Sequence, residues 1–310
     1  MKVCSLFAGI GGIDKGFEQA GFEIVYANEF DKQACKTYRT NNNPNILDEC
    51  DITKKDISLI PEFDVLVGGF PCQTFSKFGK QKAFDDPRGL LFREIVKILR
   101  FHMPIAFMLE NVPRLVTINN GDVLKTILDE LGGAGYECQY KILGAHTHSN
   151  IPQGRKRVFI VGFQKSQPFH FPSAIPLTTT IDDIIDRATK VDNKYYYTPS
   201  HKDYDIINKG INNGSIYQYR RPNCAGDPKV VRENKSGVCP TLTTNHDQPI
   251  IRDNFGIRRL TPMEYAGFQG YDNFVQVGSD PQAYKQLGNG VVVPLIKRIA
   301  QNLDSALQDF

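Results

Sequence analysis

Cys72 closes the run Asp64-Val-Leu-Val-Gly-Gly-Phe-Pro-Cys, in which an apolar strand ends, two glycines turn the backbone and a thiol follows. In open α/β sheets, ligands bind outside the carboxyl ends of the strands. Thiolate is the strong nucleophile among side chains at neutral pH, so Cys72 is a candidate for covalent catalysis. Taken alone it reads equally as a small buried apolar residue. The residues around it decide. Glu110, in Glu110-Asn-Val, ends the apolar run Ile105 to Leu109. A carboxylate there belongs to a partly desolvated cleft, as a proton donor or as half of an ordinary ion pair. Arg155 and Arg157, in Gln153-Gly-Arg-Lys-Arg, are two residues apart before a strand, so both are expected to face one ligand. A solvated positive edge is the other reading.

A second group of residues suits a nucleotide-like ligand. Phe7-Ala-Gly-Ile-Gly-Gly12 follows one apolar run and opens a helical pattern. Gly9 and Gly11 let the backbone approach a ligand at a helix N-terminus. Glu29 stands twenty residues beyond Gly9, at the end of the next strand, where a carboxylate accepts ribose hydroxyls. Asp51-Ile52 follows the third element and is placed to hold an adenine amino group. The spacing is G-x-G-G rather than G-x-G-x-x-G, which favours an adenosyl ligand without phosphates. Gln286-Leu-Gly-Asn-Gly290 suggests a backbone turn against a ligand, or a plain helix connection.

These residues need a scaffold. Strand patterns fall at 2–7, 22–28, 64–68, 105–109, 136–143 and 157–163, with helical patterns at 12–20, 31–40, 89–101 and 121–131. In the third helix Leu91, Ile95, Ile98 and Leu99 repeat at helical spacing. The alternation implies an α/β fold with a doubly wound sheet. After about residue 172 the texture changes to short strands and Asn-, Gly-, Pro- and Tyr-rich loops. Helical character returns near 282. We therefore expect one domain from 1–172 plus 282–310 and a smaller, loop-rich domain from 173–281. Arg259-Leu-Thr-Pro-Met-Glu264 reads as a helix start capped by Thr261, with Glu264 at the capping-box position.

Charge separates the two parts. Residues 187–259 carry 13 Lys and Arg against 7 Asp and Glu, while the whole chain is only +3. A basic module on a mildly acidic body suits a polyanionic partner as well as it suits a solvated face. The 7 cysteines are odd in number and contain no C-x-x-C pair, so a reducing cytosol is expected, without disulfides or structural zinc. The 6 histidines form no metal-binding arrangement. No run of about 18 apolar residues is present, so neither a signal peptide nor a membrane span is expected. Cys4 and Cys239 read as structural.

In order and spacing these blocks resemble the DNA (cytosine-5) methyltransferases of bacteria. The matching runs are Phe7-Ala-Gly-Ile-Gly-Gly, Asn28-Glu-Phe, Gly69-Phe-Pro-Cys-Gln-Thr-Phe-Ser, Arg88-Gly-Leu-Leu-Phe, Glu110-Asn-Val, Gln153-Gly-Arg-Lys-Arg, Arg259-Leu-Thr-Pro and Gln286-Leu-Gly-Asn. Only about 173–235 is unanchored. Two departures stand out: Ser5 where the family usually has Asp, expected to alter a contact near the methionine moiety, and Gly290 where Ser is usual.

The resemblance implies a Rossmann-like mixed sheet, S-adenosylmethionine as cofactor, and methylation of a flipped-out cytosine in double-stranded DNA. It makes Cys72 the nucleophile, Glu110 the partner of the cytosine edge, and Arg155 and Arg157 the groups that position the base. It implies cofactor contacts from Phe7, Gly9, Gly11, Glu29, Phe30, Asp51, Ile52, Pro71, Leu91 and Asn289. The polar loop after the nucleophile would bring Gln73, Ser76, Lys77, Lys80 and Lys82 to DNA. The basic segment becomes a target-recognition domain, with Arg220, Arg221, Arg232, Lys235 and Asn245 of the types that read base edges and Thr241 on the nucleotide backbone. The resemblance further implies a cytoplasmic, nucleoid-associated monomer. Its cognate restriction endonuclease would act on the same site without a stable complex. A tRNA cytosine-5 methyltransferase and a catalytically silent DNA-binding regulator are the alternatives.

Overall fold

The structure, a computed structural model, describes residues 1–71, 89–212, 215–220, 230–234, 237–244 and 248–308. Cys72, Gln73, Ser76, Lys77, Lys80, Lys82, Arg221, Lys235 and Asn245 lie outside the described residues.

The chain divides into two compact units, 1–143 with 156–173 and 295–310, and 144–155 with 174–294. Relative to the sequence boundaries, segments 144–155 and 282–294 group with the second unit. In the first unit, strands β1 (Lys2–Leu6), β2 (Glu23–Glu29), β3 (Leu47–Glu49), β4 (Val65–Gly69) and β5 (Ala106–Asn111) alternate with helices α1 (Gly12–Glu18), α2 (Lys32–Asn41) and α3 (Gly89–His102). Helix α4 (Asp122–Gly132) and β6 (Glu137–Gly144) follow, and β7 (Lys156–Phe163) comes after the short α5 (Ala145–His148), which groups with the second unit. The sheet order is β3-β2-β1-β4-β5-β7-β6. From β1 to β5 the pairings are parallel, and β7 runs antiparallel to β5. The expected mixed, doubly wound sheet is what forms.

Burial explains the strand composition. All six residues of β5 and four of the five in β4 are buried. A strand covered on both faces reads as a continuous apolar run rather than an alternating one. On α3, Phe92, Ile95, Val96, Ile98 and Leu99 enter the main core, joined by Val123, Leu124, Ile127 and Leu131 of α4. That core is large enough to hold the strand ends rigid. The direction of winding reverses between β1 and β4, so their carboxyl ends flank the crevice in which such sheets bind ligands.

The second unit contains α6 (Tyr204–Gly210), a four-stranded antiparallel sheet and two helices. The strands β8 (Ile216–Arg220), β9 (Val230–Glu233), β10 (Pro249–Arg252) and β11 (Ile257–Arg259) lie in the order β11-β10-β8-β9. Ile207, Ile211, Tyr217, Ile250 and Ile257 form its small core. Helix α7 (Pro262–Phe268) begins with the expected capping box between Thr261 and Glu264. Helix α8 (Asp280–Asn289) follows, and α9 (Val293–Leu307) returns the chain to the first unit. Cys4 and Cys239 are fully buried, and burial pushes both thiols up. No described helix is long and apolar enough to cross a membrane.

Candidate active site

The turn between β1 and α1 is bent by three left-handed residues, Phe7 at φ 56°, Gly9 at 58° and Gly11 at 85°. At Gly11 a Cβ would fall 2.4 Å from the Asn42 amide nitrogen, which donates to the Ile10 carbonyl at 3.1 Å. Glycine is therefore required there by both conformation and space. At Gly9 a Cβ would meet nothing within 4 Å, so the backbone faces open space at the sheet's carboxyl end.

Glu29 is fixed against this turn. The N–H groups of Gly9 (2.9 Å), Phe30 (2.9 Å) and Asp31 (2.8 Å) all donate to its carboxylate. Two carboxylate oxygens offer about four acceptor sites, so one stays available to a ligand hydroxyl. Beside it the Phe30 ring is 70% exposed, a flat apolar surface against which a purine can stack. Asp51 caps the next turn by accepting from Thr53 N (3.1 Å) and Oγ1 (2.8 Å), while Ile52 is buried in the core. Phe7 and Leu91 pack half-buried on that core, and Pro71 is exposed at the end of β4. An adenosyl group, with ribose hydroxyls and an amine to donate, fits these acceptors and this apolar ring.

Ser5, where the family usually has Asp, is turned into the protein. It is fully buried and donates to Asp14 Oδ1 at 2.5 Å, while Tyr38 Oη donates to Asp14 Oδ2 at 2.7 Å. The trio ties β1, α1 and α2 beneath the glycine turn. Burial pushes the Asp14 carboxyl up to about 6 against the two hydroxyl donors. Because the native value exceeds the unfolded one, this group's contribution is fully present below about pH 4. It is lost as pH rises to about 6, at a cost of about 3 kcal/mol. Asp14→Asn is expected to flatten the pH 4–6 slope of stability in urea unfolding; an unchanged slope would contradict this.

Glu110 and Arg157 meet because of strand register. Glu110 pairs with Gly69 on one side and Phe159 on the other. Arg157, two residues before Phe159, is its diagonal neighbour on the same face. Arg157 Nε lies 2.7 Å from Glu110 Oε1, with both side chains largely buried. The two sequence readings of Glu110 thus converge, since its ion-pair partner is itself a candidate site residue. Asn111, which sequence reasoning passed over, donates through Nδ2 to the Phe70 carbonyl at 3.0 Å. That bond fixes the segment leading to Cys72; the signal was an amide directly after a site carboxylate.

Arg155 does not share a strand face with Arg157. It precedes β7, belongs to the second unit and is 2% exposed. Its guanidinium donates to the carbonyls of Leu242 (3.1 Å), Gly288 (3.1 Å) and Gly290. Both terminal nitrogens donate to backbone carbonyls, so Arg155 stitches segments of its own unit together. Gly288 is likewise a packing residue, since a Cβ there would sit 2.6 Å from the Thr243 carbonyl. Asn289 is exposed at the end of α8. Thr241 Oγ1 donates to the Gly154 carbonyl at 2.9 Å. Arg232 is exposed on β9, and Arg220 ends β8.

Comparison with known proteins places this geometry. The family model for C-5 cytosine-specific DNA methylases matches residues 1–305. The chain belongs to that family. The methyltransferase is 44% identical over 318 residues to the Type II methyltransferase M.Bsp6I of Bacillus sp. (strain RFL6), covering 98% of each chain. It is 37% identical to M.HpaII of Haemophilus parainfluenzae, covering 96% of this chain and 87% of that one. Among solved structures, Spodoptera frugiperda DNMT2 superposes with TM-score 0.74 at 20% identity, over 98% of this chain and 99% of that one. S. pombe Dnmt2 superposes with TM-score 0.75 at 18%, over 100% and 98%. These two likenesses concern the fold. The enzyme transfers a methyl group from S-adenosylmethionine to C5 of cytosine in DNA.

Proposed function

We propose that the methyltransferase acts through a covalent bond between Cys72 Sγ and cytosine C6, within a specific double-stranded sequence. The observation that carries this reading is the Glu110–Arg157 pair at the carboxyl end of β5, with Glu110 in register with Gly69, three residues before Cys72. Cytosine is a poor nucleophile at C5. Addition of the Cys72 thiolate at C6 makes C5 enamine-like. Glu110 contacts N3 and the exocyclic amine, where charge develops as sulfur adds, and Arg157 holds the Glu110 carboxylate and the base in place. S-adenosylmethionine supplies an electrophilic methyl group. Loss of the C5 proton and of Cys72 then releases 5-methylcytosine.

On this reading Glu29 accepts from the ribose and the Phe30 ring packs on the adenine. Asp51 holds the adenine amino group, with Phe7, Gly9, Gly11, Ile52, Pro71 and Leu91 lining the rest. Asn289 is assigned to the cofactor on resemblance alone. Arg155, given its carbonyl partners, positions the 241–243 and 288–290 segments. The second unit serves as the target-recognition module, with Gln73, Ser76, Lys77, Lys80 and Lys82 contributing phosphate and base contacts from the first. The enzyme works as a cytoplasmic monomer and protects its site from a cognate endonuclease without a stable complex. The relatives' designation as Type II methyltransferases supports that role.

The test is transfer of tritiated methyl groups to plasmid DNA and to bulk tRNA, with Glu110→Gln as control. The expected result is label in DNA, lowered about 100- to 1,000-fold by the substitution. Label in tRNA alone, or an unaffected variant, would overturn the reading.

A further inference from the structure

The four-stranded sheet of the second unit presents one pair of polar side chains that the fold does not use. In the antiparallel β8–β9 ribbon, Gln218 stands directly opposite Arg232, flanked by the pairs Tyr217–Glu233 and Tyr219–Val231. Side chains alternate between faces along a strand. Tyr217 lies in the small core and Val231 packs against it, so Gln218 and Arg232 share the other face. Arg232 is exposed and Gln218 half-buried. Neither side chain forms a hydrogen bond or ion pair with another described residue. Glu233, the nearest acid in sequence, is on the opposite face and accepts from Ser215 Oγ at 2.6 Å. By contrast, Arg187, Arg252, Arg258 and Arg259 in the same unit are all hydrogen-bonded within the protein.

We propose that Arg232 is a base-reading residue that takes the O6 and N7 edge of a guanine in the recognised sequence, and that Gln218 is its positioning residue. Arg232 stands on β9, the edge strand of the sheet, and an arginine fork on guanine is the commonest specific contact in the major groove. Directly opposed residues in an antiparallel pair have Cβ atoms about 5 Å apart. The Gln218 carbonyl oxygen is thus within range to accept one N–H of the Arg232 guanidinium when DNA is bound, leaving the remaining fork for the base. The half-buried glutamine stem restricts that contact to one geometry. This inference rests on the second unit being the recognition module. It goes further by separating a base reader from residues that hold phosphate, a distinction made by geometry rather than charge.

The experiment expresses wild-type enzyme, Arg232→Ala, Arg232→Lys and Gln218→Leu, and reads every methylated context in genomic DNA by bisulfite sequencing. Duplex affinity is measured against salt. S-adenosylmethionine binding and thermal unfolding verify that each variant is folded. Arg232→Ala is expected to lower kcat/KM on the native sequence about 10- to 100-fold and to relax one base position. Gln218→Leu is expected to relax the same position less, an effect that a purely structural role would not produce. Arg232→Lys keeps the charge without the fork, so it too should relax that position. If Arg232→Ala instead weakens binding equally on all sequences, lowers the salt slope by about one and is rescued by lysine, Arg232 holds phosphate. That would overturn the proposal while leaving the recognition module in place. If Arg232→Ala leaves both affinity and context unchanged, this face of the sheet does not meet DNA, and the proposal falls together with the module's assigned role.

Discussion

Cys72→Ser is expected to lower methyl transfer by about 10,000-fold or more while S-adenosylmethionine binds with unchanged affinity. A hydroxyl at neutral pH is a far weaker nucleophile than a thiolate, and on the proposed mechanism the methyl group cannot move until C6 carries a nucleophile. The proposed cofactor cradle does not include that sulfur. It consists of the Phe7–Gly11 turn, the Glu29 carboxylate held by three backbone N–H groups, and the exposed Phe30 ring. Titration calorimetry and single-turnover transfer on the same preparation separate the two effects. Loss of both together would mean that residue 72 supports the cradle rather than the chemistry.

The second large effect concerns stability. Arg258 is fully buried and binds two acids, Asp253 Oδ2 at 2.6 Å through Nε and Glu264 at 2.7 and 2.8 Å through its two terminal nitrogens. Tyr196 Oη donates to the same Asp253 oxygen at 2.9 Å. Glu264 also accepts from the Thr261 N–H at 2.7 Å, so the helix cap and the ion triad share one carboxylate. Arg258→Met would leave both carboxylates buried without their cation, at a cost of about 3–5 kcal/mol. Urea unfolding should show this as a lower midpoint, and methylation should fail at temperatures the wild type tolerates. A single variant within 1 kcal/mol of wild type would contradict the assignment.

What the sequence revealed and what it concealed follow one physical rule. The β1 turn, Glu29 and the Thr261–Glu264 cap were legible because each interaction closes within twenty residues or repeats at a fixed spacing. Glu110 was half legible: its carboxylate at a strand end was plain, but its partner Arg157 is set by antiparallel register forty-seven residues away. The carbonyl partners of Arg155 were not legible because they lie 87 to 135 residues along the chain, beyond any local pattern. Asp14 sits in the first turn of α1, where an acid is ordinary, so its burial beneath the glycine turn had no sequence signal. Arg258 was hidden beside Arg259, its neighbour in the resemblance block, although Arg258 is the one fully enclosed. The second unit's strands are three to five residues long. They are too short for alternation to stand out from loop.

The covalent step is tested most directly with duplex DNA carrying 5-fluorocytosine at the target position. After Cys72 adds to C6 and the methyl group is transferred, C5 holds fluorine in place of the proton that must leave, so elimination stops and the enzyme stays bonded to DNA. The predicted result is an adduct stable to denaturation, dependent on S-adenosylmethionine, whose digested peptide carries the modification on Cys72. No adduct from an enzyme that methylates ordinary cytosine, or an adduct mapped to any other residue, would contradict it.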